Sequence, residues 1–352
     1  MFNAYRKTGV LLINTGTPRS PEVSDVRRYL RQFLSDARVI DMSPLARWLL
    51  LELIILPFRP AKSAKAYRAI WTDRGSPLLY HGLDLVDSLQ SQMGDRAVVL
   101  LAMQFGSPTI ASAFATFADQ GIDNIVVVPL FPQYAAASFG SAVEAAMAEA
   151  AKRWVTPNIA VVPPFFDQPE FIAALATHVA EVVQRESPDH FVFSYHGLPE
   201  RHCQRTDATG QHCLKSATCC DEVAQANRNC YRAQCFATSR LLTAALDLPT
   251  DRVTTAFQSR LGRIPWIQPH TDVILTELGK SKLNKILVVE PSFVADCLET
   301  LEEIGIRGRD DFRAAGGGEL VLVPSLNATQ PWAIGLAAII ERLFMRSGAK
   351  AI

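Results

Sequence analysis

The chain has 352 residues, 49% of them hydrophobic and 20% charged, a profile that excludes a disordered protein and allows two domains of ordinary size. Lysine plus arginine and aspartate plus glutamate number 35 each, so no basic excess points to a nucleic-acid partner. No apolar run reaches the roughly 20 residues of a membrane-spanning helix, and the N-terminus Met1-Phe-Asn-Ala-Tyr-Arg-Lys7 lacks the apolar core of a signal peptide.

Val10-Leu-Leu-Ile-Asn14 reads as a buried strand that stops at Gly16. Residues 48–58, Trp-Leu-Leu-Leu-Glu-Leu-Ile-Ile-Leu-Pro-Phe, are almost wholly apolar, and Arg59, Lys62, Lys65 and Arg68 follow closely. An apolar surface bordered by cations suits a membrane interface. A buried core helix explains the apolarity equally well, but not the cations. Val98–Met103 and Ile125–Leu130 read as further strands. The second half repeats the rhythm with Ile159–Val162, Phe191–Tyr195, Val253–Phe257 and Lys285–Val289. A last helix over about 330–347 can pack on either half.

Continuous apolar strands separated by helices predict parallel sheets covered on both faces. The expected fold is α/β, with two similar doubly wound, Rossmann-like domains and a cleft between them. Residues 1–160 form the first, with an apolar lip near 45–60 and completion by the helix 330–352. Residues 161–329 form the second. Ligands in such folds bind beyond the carboxyl ends of the strands. There is no Gly-x-Gly-x-x-Gly and no Walker-type lysine, so a nucleotide is not indicated.

Two features concentrate the chemistry in the second half. His196 leaves the strand Phe191-Val-Phe-Ser-Tyr-His-Gly-Leu-Pro199 at a turn. Asp296, Glu299 and Glu303 are spaced by three and four residues, which predicts a ladder of carboxylates on one α-helical face. For an arbitrary helix such a ladder is a solvated surface; pairing with a strand-end histidine favours a site. Histidine with carboxylates can hold a divalent metal such as Fe2+ or move protons near neutral pH. Six of the seven cysteines lie between Cys203 and Cys235. In the cytosol, which the N-terminus predicts, such clustering means metal ligands rather than disulfides.

Five motifs in order resemble the ferrochelatase family: Leu11-Leu-Ile-Asn-Thr-Gly-Thr-Pro18, Pro129-Leu-Phe-Pro-Gln133, Ser194-Tyr-His-Gly-Leu-Pro199, Phe257-Gln-Ser-Arg-Leu-Gly-Arg263 with Pro265-Trp266, and Ala295-Asp-Cys-Leu-Glu-Thr-Leu-Glu-Glu303. The resemblance implies insertion of Fe2+ into protoporphyrin IX, with loss of two pyrrole protons, to give haem. His196 then matches the active-site histidine as proton acceptor or iron ligand, and Glu299 the carboxylate opposite it. Asp296 and Glu303 match an acidic path for metal or protons. Trp266, Phe131, Tyr134 and Phe293 are candidates to hold the ring face, and Arg68, Arg260 and Arg263 to bind propionates. Each arginine could equally serve in an ion pair between the domains. Thr15 stands where some members place an aromatic or sulfur-containing residue beside the metal. The apolar run resembles the lip of membrane-associated members and implies peripheral attachment at the inner face of the cytoplasmic membrane. A homodimer is allowed, not required.

The resemblance departs after Pro199, where simpler bacterial members have a shorter connection. It is similar there to a bacterial subgroup whose internal insertion, here about 203–230, carries cysteine ligands for a 2Fe-2S cluster. Such a cluster takes four thiolates. Cys213, Cys219, Cys220 and Cys230 form the most compact set, with Cys203 and Cys235 as alternates. Zinc held by four cysteines is the rival. Cys297 reads as a separate core residue. Two other functions stay open: a chelatase for another metal or tetrapyrrole, and a haem-binding or redox-sensing protein that uses the cluster.

Overall fold

A computed structural model describes residues 7–348 apart from 261 and 263, with side chains described as far as residue 342. The chain forms two compact units. The first comprises residues up to Phe131 together with Ala136–Pro164 and the stretch from Ala328; the second comprises Pro132–Ala135 and Phe165–Asn327.

The first unit holds a parallel sheet of β1 (Thr8–Gly16), β2 (Ala97–Phe105), β3 (Asn124–Pro129) and β4 (Asn158–Val161), in the order β2-β1-β3-β4. Leu11, Ile13 and Val127 of this sheet pack with Phe114, Phe117, Ala142 and Ala146 of covering helices. The helix Gln330–Gly348 belongs to this unit and packs against the helix Pro77–Met93.

The second unit repeats the arrangement with β5 (His190–His196), β6 (Val253–Gln258), β7 (Lys285–Val289) and β8 (Glu319–Leu322), in the order β6-β5-β7-β8. Val192, Ala256, Ile286, Val288 and Leu320 pack with Leu275, Ile304 and Phe312 to form its core. Burial on both faces is why these strands read as unbroken apolar runs. β8 escapes a reading by periodicity because only five residues, Glu-Leu-Val-Leu-Val, separate Gly316-Gly-Gly318 from Pro324. The two parallel sheets bear out the expected α/β architecture with two similar doubly wound units.

In each sheet the first strand is internal, and the chain crosses to one side of it and then to the other. The crevice at such a reversal lies at the carboxyl ends of the two strands that flank it. In the second unit those are β5, which ends on His196, and β7, which runs into Glu290.

The apolar run of the first unit is helical throughout, with a π-helical stretch Leu50–Ile55 between the α-helices Pro44–Leu49 and Leu56–Ile70. Leu51 and Leu56 are buried, but Leu45, Trp48, Leu53, Ile54 and Phe58 are each more than half exposed. The buried-helix alternative is thereby overturned: most of these side chains lie at the surface. No helix among the described residues is long and apolar enough to cross a membrane.

Candidate active site

Phe191, Val192, Phe193, Ser194 and Tyr195 are all buried, which fixes the strand that delivers His196 to the end of the sheet. His196 is half-buried. Its Nδ1 lies 2.7 Å from the carbonyl oxygen of Gly197. A carbonyl only accepts, so Nδ1 carries the hydrogen, and Nε2 of the neutral ring keeps its lone pair for a proton or a metal. The His196 backbone N–H donates to Ser292 Oγ at 3.3 Å. The Phe293 ring stands 6.4 Å from the imidazole, centroid to centroid.

Gly197 is required by close packing. Its N–H donates to the Gln258 carbonyl at 2.7 Å. A Cβ there would stand 2.6 Å from that carbonyl oxygen and 3.3 Å from Trp266 Cε3. Trp266, paired to Pro199 through a backbone bridge, is thus held beside the histidine turn. Gly197→Ala is expected to destabilise the fold by about 1–3 kcal/mol, because backbone and indole must both shift. A lower urea midpoint with an unchanged slope would show this; an unaltered midpoint would mean that the turn yields without cost.

The carboxylates do not form the α-helical ladder expected from their spacing. The helix over Glu299–Gly308 is π-helical, with a wider turn, a form frequent at functional sites. Asp296 precedes it altogether. Its carboxylate is buried and accepts from Ser325 N at 3.0 Å, Asn327 Nδ2 at 2.8 Å and Thr300 Oγ1 at 3.4 Å. Glu299 opens the π-helical segment half-buried, and its carbonyl accepts from Gln258 Nε2 at 3.1 Å. Glu303 accepts from both the backbone N–H and the hydroxyl of Ser259, at 2.8 and 2.5 Å. These two bonds hold Ser259 in the left-handed region, at φ 67°, where a non-glycine residue is strained. Burial pushes the Glu303 carboxyl above its ordinary range and nearby Glu299 adds to this, while Ser259 and the attraction of His196 oppose it.

Glu290 escaped the sequence reading, which placed Gln258, Ser259 and Ser292 just beyond strand ends but gave them no role of their own. Glu290 is 5% exposed, and neither carboxylate oxygen has a hydrogen-bond partner among the described residues. Gln258 lies near enough to favour its anion, without hydrogen-bonding geometry. Burial first, then repulsion from Glu303, Asp296 and Glu299, drives its carboxyl far above the ordinary carboxylate range. An acidic residue within an apolar strand end, Val-Val-Glu290-Pro, was the signal available.

The remaining candidates divide between the units. Tyr134, in the second, donates its backbone N–H to Gln234 Oε1 at 2.6 Å. Arg260 is exposed and pairs with Asp272 at 2.6 Å. Thr15 and Arg68 belong to the first unit; Thr15 donates its N–H to Asn14 Oδ1 at 2.8 Å, and Arg68 faces Glu22 at 3.5 Å. Both arginine pairs lie within a unit, which corrects the alternative of ion pairs between domains. Arg263 lies outside the described residues.

The cysteine segment forms one buried knot. Cys203, Cys213, Cys219, Cys220, Cys230 and Cys235 are all buried and none is in a disulfide. Cys219 and Cys220 have sulfurs 3.7 Å apart, and Cys230 lies close enough to Cys203, Cys213 and Cys220 to influence their thiols. Asp207 organises the loop by accepting from the backbones of Thr209, His212 and Cys213 and from the Thr209 hydroxyl. Burial pushes the Cys213 and Cys219 thiols up, and contact with Cys203 pushes Cys230 up to about 11. Thiols held this way are poor nucleophiles until a metal displaces their protons. Two donors already point at sulfur, Leu214 N to Cys219 at 3.4 Å and an Arg232 nitrogen to Cys220 at 3.1 Å. Among the described residues no three His, Cys, Asp or Glu side chains stand ready around one ion. The converging sulfurs with their N–H donors nevertheless suit a thiolate-held cluster, whose sulfurs accept such bonds.

The ferrochelatase family model matches residues 7–343. A ferrochelatase of Coxiella burnetii (strain CbuG_Q212) is 45% identical over 336 residues, covering 96% of this chain and 94% of that relative. One of Legionella pneumophila subsp. pneumophila (strain Philadelphia 1) is 44% identical over 338 residues, covering 96% and 100%. Among solved structures, SirB from Bacillus subtilis with Fe3+ superposes with a TM-score of 0.55 at 13% identity, over 98% of both chains, a likeness of fold alone. With the family's model matched over nearly its whole length and a strand-end histidine set among buried carboxylates, the chain belongs to the ferrochelatase family.

Proposed function

We propose that this protein inserts Fe2+ into protoporphyrin IX, releasing two protons and forming haem. The observation that carries the reading is His196 at the end of β5, its Nδ1 bonded to the Gly197 carbonyl so that Nε2 is left to take a proton, with Glu303 near enough to stabilise the imidazolium so formed. Each pyrrole N–H bond must break with its electron pair left on nitrogen, and Nε2 is placed to take such a proton. Glu299 and Glu303 supply hard oxygen donors suited to the incoming Fe2+, which is substrate. Trp266 and Phe293, beside the histidine, offer the flat apolar surfaces that a porphyrin face needs.

Four of the knotted thiols, Cys213, Cys219, Cys220 and Cys230 in this reading, would hold a 2Fe-2S cluster. Such a cluster supplies a one-electron couple, but insertion of Fe2+ changes no oxidation state, so its contribution here is to brace the loop. The exposed side chains of Leu45, Trp48, Leu53, Ile54 and Phe58, followed by exposed Lys62 and Lys65, support peripheral attachment to an anionic bilayer, from which an apolar porphyrin can be collected.

Two measurements on anaerobically purified protein test this. Incubation with Fe2+ and protoporphyrin IX should quench free-porphyrin fluorescence and yield haem catalytically; failure to turn over more than once would leave a haem-binding or sensing protein instead. Visible and EPR spectra before and after dithionite should show sulfide-to-iron bands that bleach and a rhombic signal that appears. A colourless protein with stoichiometric zinc would make the insertion a zinc loop.

A further inference from the structure

The chain leaving β3 enters a short strap, Pro132–Ala135, which belongs to the second unit, although Phe131 before it and Ala136 after it belong to the first. β3 is one of the two strands that flank the reversal in its sheet, so the residues that follow it stand where a ligand is expected. Leu130 N donating to the Ile13 carbonyl at 2.8 Å keeps this exit beside β1. Tyr134, a candidate for the porphyrin face, is half-buried in the strap.

Buried polar side chains of the helix Tyr231–Ala245 grip the strap. Gln133, 1% exposed, donates from Nε2 to Thr238 Oγ1 at 3.1 Å, and the Thr238 hydroxyl donates to the Phe166 carbonyl at 2.9 Å. The Tyr134 backbone N–H donates to Gln234 Oε1 at 2.6 Å. The other end of that amide, Nε2, donates to the Arg228 carbonyl at 2.7 Å. Gln234 is 2% exposed. A backbone N–H only donates and a carbonyl only accepts, so a single orientation of the amide satisfies both partners. A hydrocarbon of the same size satisfies neither. One position beyond Thr238, Ser239 Oγ lies 2.9 Å from the Tyr195 hydroxyl, so this helix also holds the strand that ends on His196.

Arg228 is itself fixed by the cysteine segment. Its neighbour Asn227 is fully buried and donates from Nδ2 to the carbonyls of Cys219 and Glu222, both at 2.9 Å, while its Oδ1 accepts from Ala224 N at 2.7 Å. The Cys230 N–H donates to the Asn227 carbonyl at 2.8 Å. Gln234 is thus oriented on one side and orients the strap on the other. Packing of the helix asks only for an apolar side chain at this position, so the amide has to be explained by what it bonds. Resting on the iron-insertion reading above, we propose that Gln234 is a positioning residue for the porphyrin: it fixes the strap so that Tyr134 meets the macrocycle in one geometry, and it acts on substrate binding rather than on the chemical step.

Gln234→Leu keeps the bulk of the side chain and removes both bonds. KM for protoporphyrin IX should rise about tenfold, the usual weight of one buried hydrogen bond, with kcat within about twofold of wild type. In a Tyr134→Ala background the same substitution should add less than about twofold, because it acts through Tyr134. A loss confined to kcat, or a rise in KM that multiplies with that of Tyr134→Ala, would overturn the proposal. Gln234→Asn carries an amide one methylene too short to reach both partners, and it serves where Gln234→Leu does not fold. It should show the same rise in KM, and an unchanged KM would overturn the proposal equally. A second readout needs no turnover: protoporphyrin IX titrated without iron and followed by its fluorescence should bind Gln234→Asn about tenfold more weakly than wild type. Equal dissociation constants would sink the positioning role. Weaker binding by the variant, with a wild type that binds porphyrin but inserts no iron, would sink only the iron-insertion reading.

Discussion

His196→Ala is expected to lower the rate of Fe2+ insertion by about 10³-fold, the contribution of a positioned proton acceptor. The fold should survive, because the imidazole is half-buried and its Nδ1 bonds only the next residue's carbonyl. The strand that carries it is anchored by Phe191, Phe193 and Tyr195, which do not depend on the ring. Initial rates under anaerobic conditions, compared at equal circular dichroism and equal urea midpoint, make the check. A rate within a few-fold of wild type would exclude His196 as the proton acceptor and move that role to a carboxylate, for which Glu303 is nearest in its electrostatics.

Asp296→Ala is expected to unfold or loosen the second unit, at a cost of about 3 kcal/mol, rather than merely slow the reaction. Its carboxylate joins the start of the π-helical segment, at Thr300, to the Ser325–Asn327 turn, and its own N–H donates back to Asn327 Oδ1 at 2.9 Å. Deleting it strands the buried N–H of Ser325, and an unsatisfied buried donor is costlier than a bond never made. Asp296→Asn keeps an acceptor and should recover part of the loss. If Asp296→Ala instead keeps the wild-type urea midpoint and loses only turnover, Asp296 serves in an acidic path and the holding role is wrong.

The contrast between these residues shows what could be read early. His196 was legible because a histidine closing an apolar run leaves few places for its side chain: the strand ends where the sheet ends. Glu299 and Glu303 were legible as a pair, since any helix places residues four apart near one another. Asp296 was assigned to the same face because α-helical spacing was assumed. The π-helical winding and the turn at Ser325–Asn327 that claims its oxygens depend on contacts about thirty residues away. Glu290 was passed over as part of a strand, for its burial and its unpaired oxygens exist only once β7 is packed.

The order of apolar strands and the five family motifs determined, from sequence alone, two parallel α/β sheets and membership of a chelatase family, because burial on both faces writes itself as composition. Tertiary structure alone decided which side chains of the 48–58 run face outward, where each carboxylate finds its donors, and that all six clustered cysteines are buried. Those outcomes depend on distances between segments far apart in the chain, and no local spacing encodes them.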